Sequence, residues 1–178
     1  MHSSLAVANK LLKLANDAND TVTPMELIKL VYLCHGWMLG LYGRALVREP
    51  AEAWAYGPVY GDLYQKVKRY RGAAVTAPIK GAPDEEFDSL ESDIIEQVYQ
   101  IYGNRGAIPL SMLTHKAGSP WAITWEQDGK NGLIPDDLIE YHYQTLYKKL
   151  QPNAGEEAGS EQKDASSSDG EAGRTAQA

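Results

Sequence analysis

Residues 113–121 carry the chain's most suggestive set of reactive side chains. Thr114 and His115 are followed at close range by Ser119, Pro120 and Trp121. Hydroxyls beside an imidazole are the raw material of nucleophilic catalysis, because the ring can take the hydroxyl proton as the oxygen attacks. The same residues have a simpler use. Thr114 and His115 can close one helix, and Ser119 can cap the next, which Pro120 would open. A partner-binding role is the third option. Elsewhere the reactive types are scattered. The remaining histidines, His2, His35 and His142, form no zinc-spaced cluster with Cys34 or with carboxylates. No glycine-rich phosphate loop, serine elbow or paired catalytic carboxylates stand out. Metal and cofactor are therefore not expected. Cys34 lies on an apolar helical stripe and reads as a packed core thiol. His35 and His142 sit at helical spacing among apolar neighbours, which suggests hydrogen-bonded structural roles.

A second segment, 52–59, joins aromatics to a stiff corner. Trp54 and Tyr56 precede Gly57 and Pro58. Read structurally, Trp54 and Tyr56 bury area while the Gly-Pro bend fixes direction. Read functionally, they form a surface for a partner, since Trp and Tyr are enriched among interface hot spots. A third segment is basic: Lys66, Lys68, Arg69 and Arg71 fall within six residues. It is a solvated helix face, a nucleic-acid contact, or a patch that steers an acidic protein.

Helices must position these segments. Leu5, Ala8, Leu11, Leu12 and Ala15 have helical spacing, with Ser3 or Ser4 as cap. Thr23, Pro24 and Glu26 form the clearest helix start in the chain, a capping box with proline at the first position. That helix runs to about Tyr42, where Gly43 can end it. Leu27, Leu30, Val31, Cys34, Trp37, Met38 and Leu41 make one stripe; Tyr32, His35, Leu39 and Tyr42 make another. A helix apolar on two faces is central. Gly36 and Gly40 could admit another backbone, at about 1 kcal/mol of helix propensity each.

Residues 45–47 and 52–56 read as a small hairpin, with Glu52, Trp54 and Tyr56 on one face and Gly57-Pro58 ending the strand. Pro58 then begins a helix bearing Val59, Leu63, Val67 and Tyr70 as well as the basic run. Residues 90–102, 109–114 and 135–150 complete the helices. The last of these is lined inside by Leu138, Ile139, His142, Tyr143, Leu146 and Leu150. The expected fold is mainly α: a compact bundle of about five main helices with a small β-hairpin, plus a disordered C-terminal tail.

The chain has 178 residues, a formal net charge of −7 and one cysteine. One cysteine allows no internal disulfide, which suits a reducing cytoplasm. No run reaches the roughly 18 apolar residues of a membrane span, and residues 1–10 lack the pattern of a secretory signal. Cytoplasmic residence is the expectation. Overall acidity argues against coating nucleic acid through bulk charge. Residues 1–150 form the domain. Residues 151–178 contain no Leu, Ile, Val, Met or aromatic side chain and hold six acids against two bases. Such a composition cannot offset the entropy of ordering.

Taken in order, these segments resemble the Panacea antitoxin domain family, also described as SocA-like or phage-associated GepA-like proteins. The resemblance is carried by residues 25–37, by 46–59 with its Glu52-Ala53-Trp54 and Tyr56-Gly57-Pro58-Val59, by Leu113-Thr114-His115, by Ser119-Pro120-Trp121, and by the helix around 139–143. It spans roughly residues 5–147; the acidic tail lies outside it, and 104–108 departs from the pattern. The resemblance implies a mainly helical, cytoplasmic bacterial or phage protein that neutralises a toxin encoded beside it. Direct binding is the usual implied mode. For SocA-like members the implied mode is adaptor action toward a ClpXP-type protease. No catalytic residue is implied. Partner-facing residues are expected among Trp54, Tyr56, Gly57, Pro58, Thr114, His115, Ser119, Pro120 and Trp121. The alternative to a toxin-binding antitoxin is a DNA-binding transcriptional regulator of its own operon, resting on the basic run.

Overall fold

The computed structural model describes residues 1–151. The disorder expected of the tail therefore falls almost wholly outside the described residues. Among those described there are seven helices: α1 (Ser4–Asp17), α2 (Pro24–Tyr42), α3 (Gly61–Val67), α4 (Ser89–Tyr102), α5 (Ala107–Thr114), α6 (Pro120–Asp128) and α7 (Asp136–Leu150). A three-stranded antiparallel sheet of β1 (Ala51–Trp54), β2 (Gly57–Val59) and β3 (Leu133–Ile134) runs in the order β2-β1-β3. The mainly helical expectation holds. None of these helices is long and apolar enough to cross a membrane.

The middle of the fold is α2. Its start is the one written in the sequence. Pro24 opens it, and the Glu26 carboxylate returns to the Thr23 N–H at 2.7 Å. Gly43, at φ +61°, ends it. Leu27, Leu30, Val31, Cys34 and Met38 are buried on one side, and Tyr32, His35 and Leu39 on the other. Burial pushes the Cys34 thiol well above its ordinary value, as a packed thiol requires. Helices α1, α4, α5 and α7 surround α2.

Helix α7 crosses where the sequence has its two small residues. A Cβ on Gly40 would lie 2.9 Å from the Tyr143 carbonyl carbon and 3.0 Å from the Gln144 nitrogen. The Tyr143 ring covers Gly36 and stands edge-on to Trp37 at 5.1 Å. His35 ties this crossing together. Its Nδ1 accepts from the Val47 N–H at 3.1 Å, so Nε2 carries the hydrogen and donates to Asp136 at 3.0 Å. The structural role expected of His35 is thus visible. His142 differs: it makes no hydrogen bond among the described residues and rests against the Tyr143 ring at 5.4 Å. Leu150, expected on the inner face, is 71% exposed because α7 runs past the edge of the bundle after Leu146.

The hairpin is not the predicted one. Residues 45–47 do not pair with 52–56. Instead, β1 pairs with β2, with Glu52 opposite Val59, Ala53 opposite Pro58 and Trp54 opposite Gly57. Two causes combine. Gly57, at φ +101°, lets the chain reverse tightly at Ala55-Tyr56, so the strand turns there instead of ending. The backbone at 46–48 is meanwhile taken by the N-terminus: His2 donates to the Leu46 carbonyl at 2.7 Å and accepts from Arg48 at 2.9 Å. Pro58 sits within an edge strand, where a missing N–H is tolerated. The next helix therefore begins at Gly61 rather than at Pro58. It ends at Val67, followed by a 3₁₀ turn at Lys68–Tyr70 and by Arg71 at φ +53°. The basic residues expected on one helix are divided among three conformations.

A candidate partner-binding corner

The two segments singled out in the sequence lie against each other. Helix α6 starts with Ser119 as cap and Pro120 at its first position. The Ser119 hydroxyl accepts from Ala122 N–H at 3.2 Å and donates to the Thr114 carbonyl at 3.1 Å, so one side chain joins the end of α5 to the start of α6. This aims Trp121 at β1. Its indole N–H donates to the Trp54 carbonyl at 2.8 Å. The His115 ring packs on Trp121, with centroids 4.2 Å apart. Trp54 meets Tyr64 edge-on at 4.8 Å, and its indole donates to Glu52 at 2.9 Å.

Ser111, which sequence reasoning passed over, completes the junction. Its hydroxyl donates to the Tyr56 carbonyl at 3.2 Å, pinning the β1-β2 turn to α5. Both Ser111 and His115 are committed. His115 Nδ1 donates to the Ser111 carbonyl at 2.7 Å, and the Thr114 hydroxyl donates to the same oxygen at 3.0 Å. The Ser111 hydroxyl oxygen also lies 3.2 Å from His115 Nδ1, but that nitrogen carries the hydrogen it gives to the Ser111 carbonyl and cannot take the hydroxyl proton, while Ser111, Thr114 and Ser119 each donate to a backbone carbonyl. The geometry favours capping and turn fixing.

Lys29 is the second residue that sequence reasoning missed. It is fully buried in the middle of α2, and its ammonium donates to the Pro58 carbonyl at 3.0 Å. Burial lowers its pKa to about 7. A Cβ on Gly57 would lie 2.6 Å from Lys29 Nζ, 3.0 Å from His115 Cε1 and 3.1 Å from Thr114 Oγ1. Glycine at 57 is thus required twice, by its φ and by the side chains closing around it. The only signal in the sequence was a lone cation between two apolar stripes.

The nine expected partner-facing residues separate by exposure. Gly57, Pro58, Thr114, Ser119 and Pro120 are buried and hold the corner. Trp54, His115 and Trp121 are half-buried, and Tyr56 is 71% exposed at the tip of the turn. Lys66, Lys68, Arg69 and Arg71 are all exposed, and none pairs with a carboxylate among the described residues. Within those residues no group of three or more His, Cys, Asp or Glu side chains could hold a metal.

The segments that build this central helix and this corner fall largely within a known family's pattern. Residues 27–122 match the model of the family described as Antitoxin SocA-like, Panacea domain. The chain is also 30% identical over 168 residues to Antitoxin SocA of Caulobacter vibrioides (strain NA1000 / CB15N), covering 85% of this chain and 88% of that protein. The chain belongs to the SocA-like Panacea antitoxin family. No solved structure matches it.

Proposed function

We propose that this protein neutralises a cognate toxin by binding it directly through the 1–150 body, without a bond-making step of its own. Family membership supplies the toxin as the class of partner. The observation that carries the reading is the corner itself. Hydrogen bonds from Trp121 and Ser111 fix the Trp54–Tyr56 backbone, so exposed Tyr56 is presented on a turn that is already ordered. A preorganised aromatic anchor loses little entropy on binding. Co-expression with the product of the adjacent gene tests the reading. Growth arrest is relieved and the two proteins copurify as a stable complex; absence of both rescue and complex sinks it.

Neutralisation by delivery is the finer form of this proposal. The protein then holds its cargo while a ClpXP-type protease degrades it, and an extension outside the domain serves as a tether that raises effective concentration. Toxin half-life in the presence of the protease shortens only when this protein is present. An unchanged half-life rejects delivery and leaves masking. Removal of residues 151–178 separates tail-dependent from body-dependent transfer.

The second reading, an operon regulator that binds DNA, rests on the four exposed cations at Lys66, Lys68, Arg69 and Arg71, which pair with no carboxylate among the described residues. Their division over a seven-residue helix, a 3₁₀ turn and a residue at positive φ gives no continuous helix for a groove. Under this reading, reversing these charges abolishes operator binding and flattens its salt dependence; unchanged binding removes it.

A further inference from the structure

Beside the corner lies an open groove of about 520 Å³. Met25 from the first turn of α2, Tyr56 from the hairpin turn, and Ala107, Ile108 and Met112 from α5 supply most of its wall, and Arg71 is the one charged side chain lining it. Tyr56, Ile108 and Met112 are 71%, 74% and 67% exposed, a concentration of bare apolar side chains in one concavity. The walls are joined: the Ser111 hydroxyl in the groove donates to the Tyr56 carbonyl. No lining residue is a carboxylate. Glu26, on the same first turn of α2 as Met25, is committed to the Thr23 backbone and hydroxyl at 2.7 and 2.8 Å. Arg71 has no acidic partner among the described residues, and Lys68 and Arg69, also exposed, lie just before it with Tyr70 between.

From this geometry we infer that the groove receives an amphipathic segment of the toxin, with apolar side chains entering between Tyr56, Ile108 and Met112 and a carboxylate meeting Arg71. The inference rests on the toxin-binding reading and gives that reading a surface. Charge decides the occupant. An apolar floor beside an unpaired guanidinium is completed by a segment that is both apolar and acidic. The chain's own residues 151–178 supply the acid but no Leu, Ile, Val, Met or aromatic side chain, so they cannot fill the floor. Two flexible methionines suit a groove that adapts to the shape of what it holds.

The test uses the full chain and the purified product of the adjacent gene. Ile108→Glu and Arg71→Glu are compared with Tyr141→Glu, a control at an exposed apolar side chain on α7. Calorimetric titration is expected to show at least about tenfold weaker binding for the two groove variants and parent affinity for the control. The Arg71 variant also has a flatter salt dependence. A photo-crosslinker at position 108 captures the toxin segment, and changing that segment's carboxylate to arginine restores binding to Arg71→Glu. If the parent binds and the groove variants bind equally well, the groove assignment is overturned and toxin binding stands. If the parent itself does not bind, both fall. If Ile108→Glu abolishes self-association while toxin affinity is unchanged, the occupant is a second copy and the inference is wrong.

Discussion

The Lys29 ammonium donates to the Pro58 carbonyl at 3.0 Å, joining the core of α2 to the edge strand of the corner across 29 residues of sequence. No carboxylate pairs with it among the described residues, so the cation bears its desolvation nearly alone. Its pKa is lowered by burial from 10.5 to about 7. Below about pH 7 both folded and unfolded chains are protonated at this site, and the full burial penalty is present. From there toward pH 10.5 the unfolded chain holds a proton that the folded chain has released, so stability rises with pH. Near the upper end the buried Tyr32, Tyr60 and Tyr143, whose ionisation burial opposes, pull the other way. Below the range where tyrosine ionises, urea midpoints should climb with pH for the parent and stay flat for Lys29→Met. Parallel profiles would show that Lys29 is not the titrating group.

Trp121 offers a more local test. Its indole N–H is a hydrogen bond from α6 to the β1 backbone at 2.8 Å. Trp121→Phe keeps most of the apolar bulk and removes the donor. The expected cost is about 1 kcal/mol in unfolding free energy. Toxin affinity should weaken as well, because the turn bearing Tyr56 loses its shortest side-chain pin. A thermal midpoint equal to the parent's would mean that the contact contributes nothing to the corner.

Gly36 and Gly40 should respond differently to the same change. Alanine gains roughly 1 kcal/mol of helix propensity at either site, yet overpacking costs about 1–3 kcal/mol. At Gly36 the obstacle is the Tyr143 ring; at Gly40 it includes the α7 backbone at 2.9 and 3.0 Å. Tyr143→Leu should therefore rescue Gly36→Ala in a double-mutant cycle and leave Gly40→Ala largely unrescued. Equal rescue at both sites would contradict the backbone approach.

What could be read in advance was local. Thr23, Pro24 and Glu26 announced α2, and Ser119 with Pro120 announced α6, because a cap is decided within four residues. The Asp88–Glu91 box opening α4 obeys the same rule, with the Glu91 N–H donating to Asp88 at 2.8 Å. Hairpin register was not legible. It depended on Gly57 turning the chain and on His2 occupying the backbone near Leu46, a contact set by tertiary packing. Lys29 was hidden for the same reason. Its partner is a main-chain oxygen, which leaves no mark in a sequence. The Trp54–Tyr56 and Thr114–Trp121 segments could be named separately, but nothing in their order revealed that Trp121 and Ser111 would stitch them together.

His35 and Asp136, hydrogen-bonded at 3.0 Å, are 101 residues apart. A ribosome thus delivers the two-faced α2 long before the helix that seals it. Until α7 emerges, Gly36 and Gly40 sit at the bottom of an open greasy trench, vulnerable to chaperones, proteases and aggregation alike. A chain cut short ahead of Asp136 is consequently expected to be cleared by the cell rather than to persist as a smaller working protein.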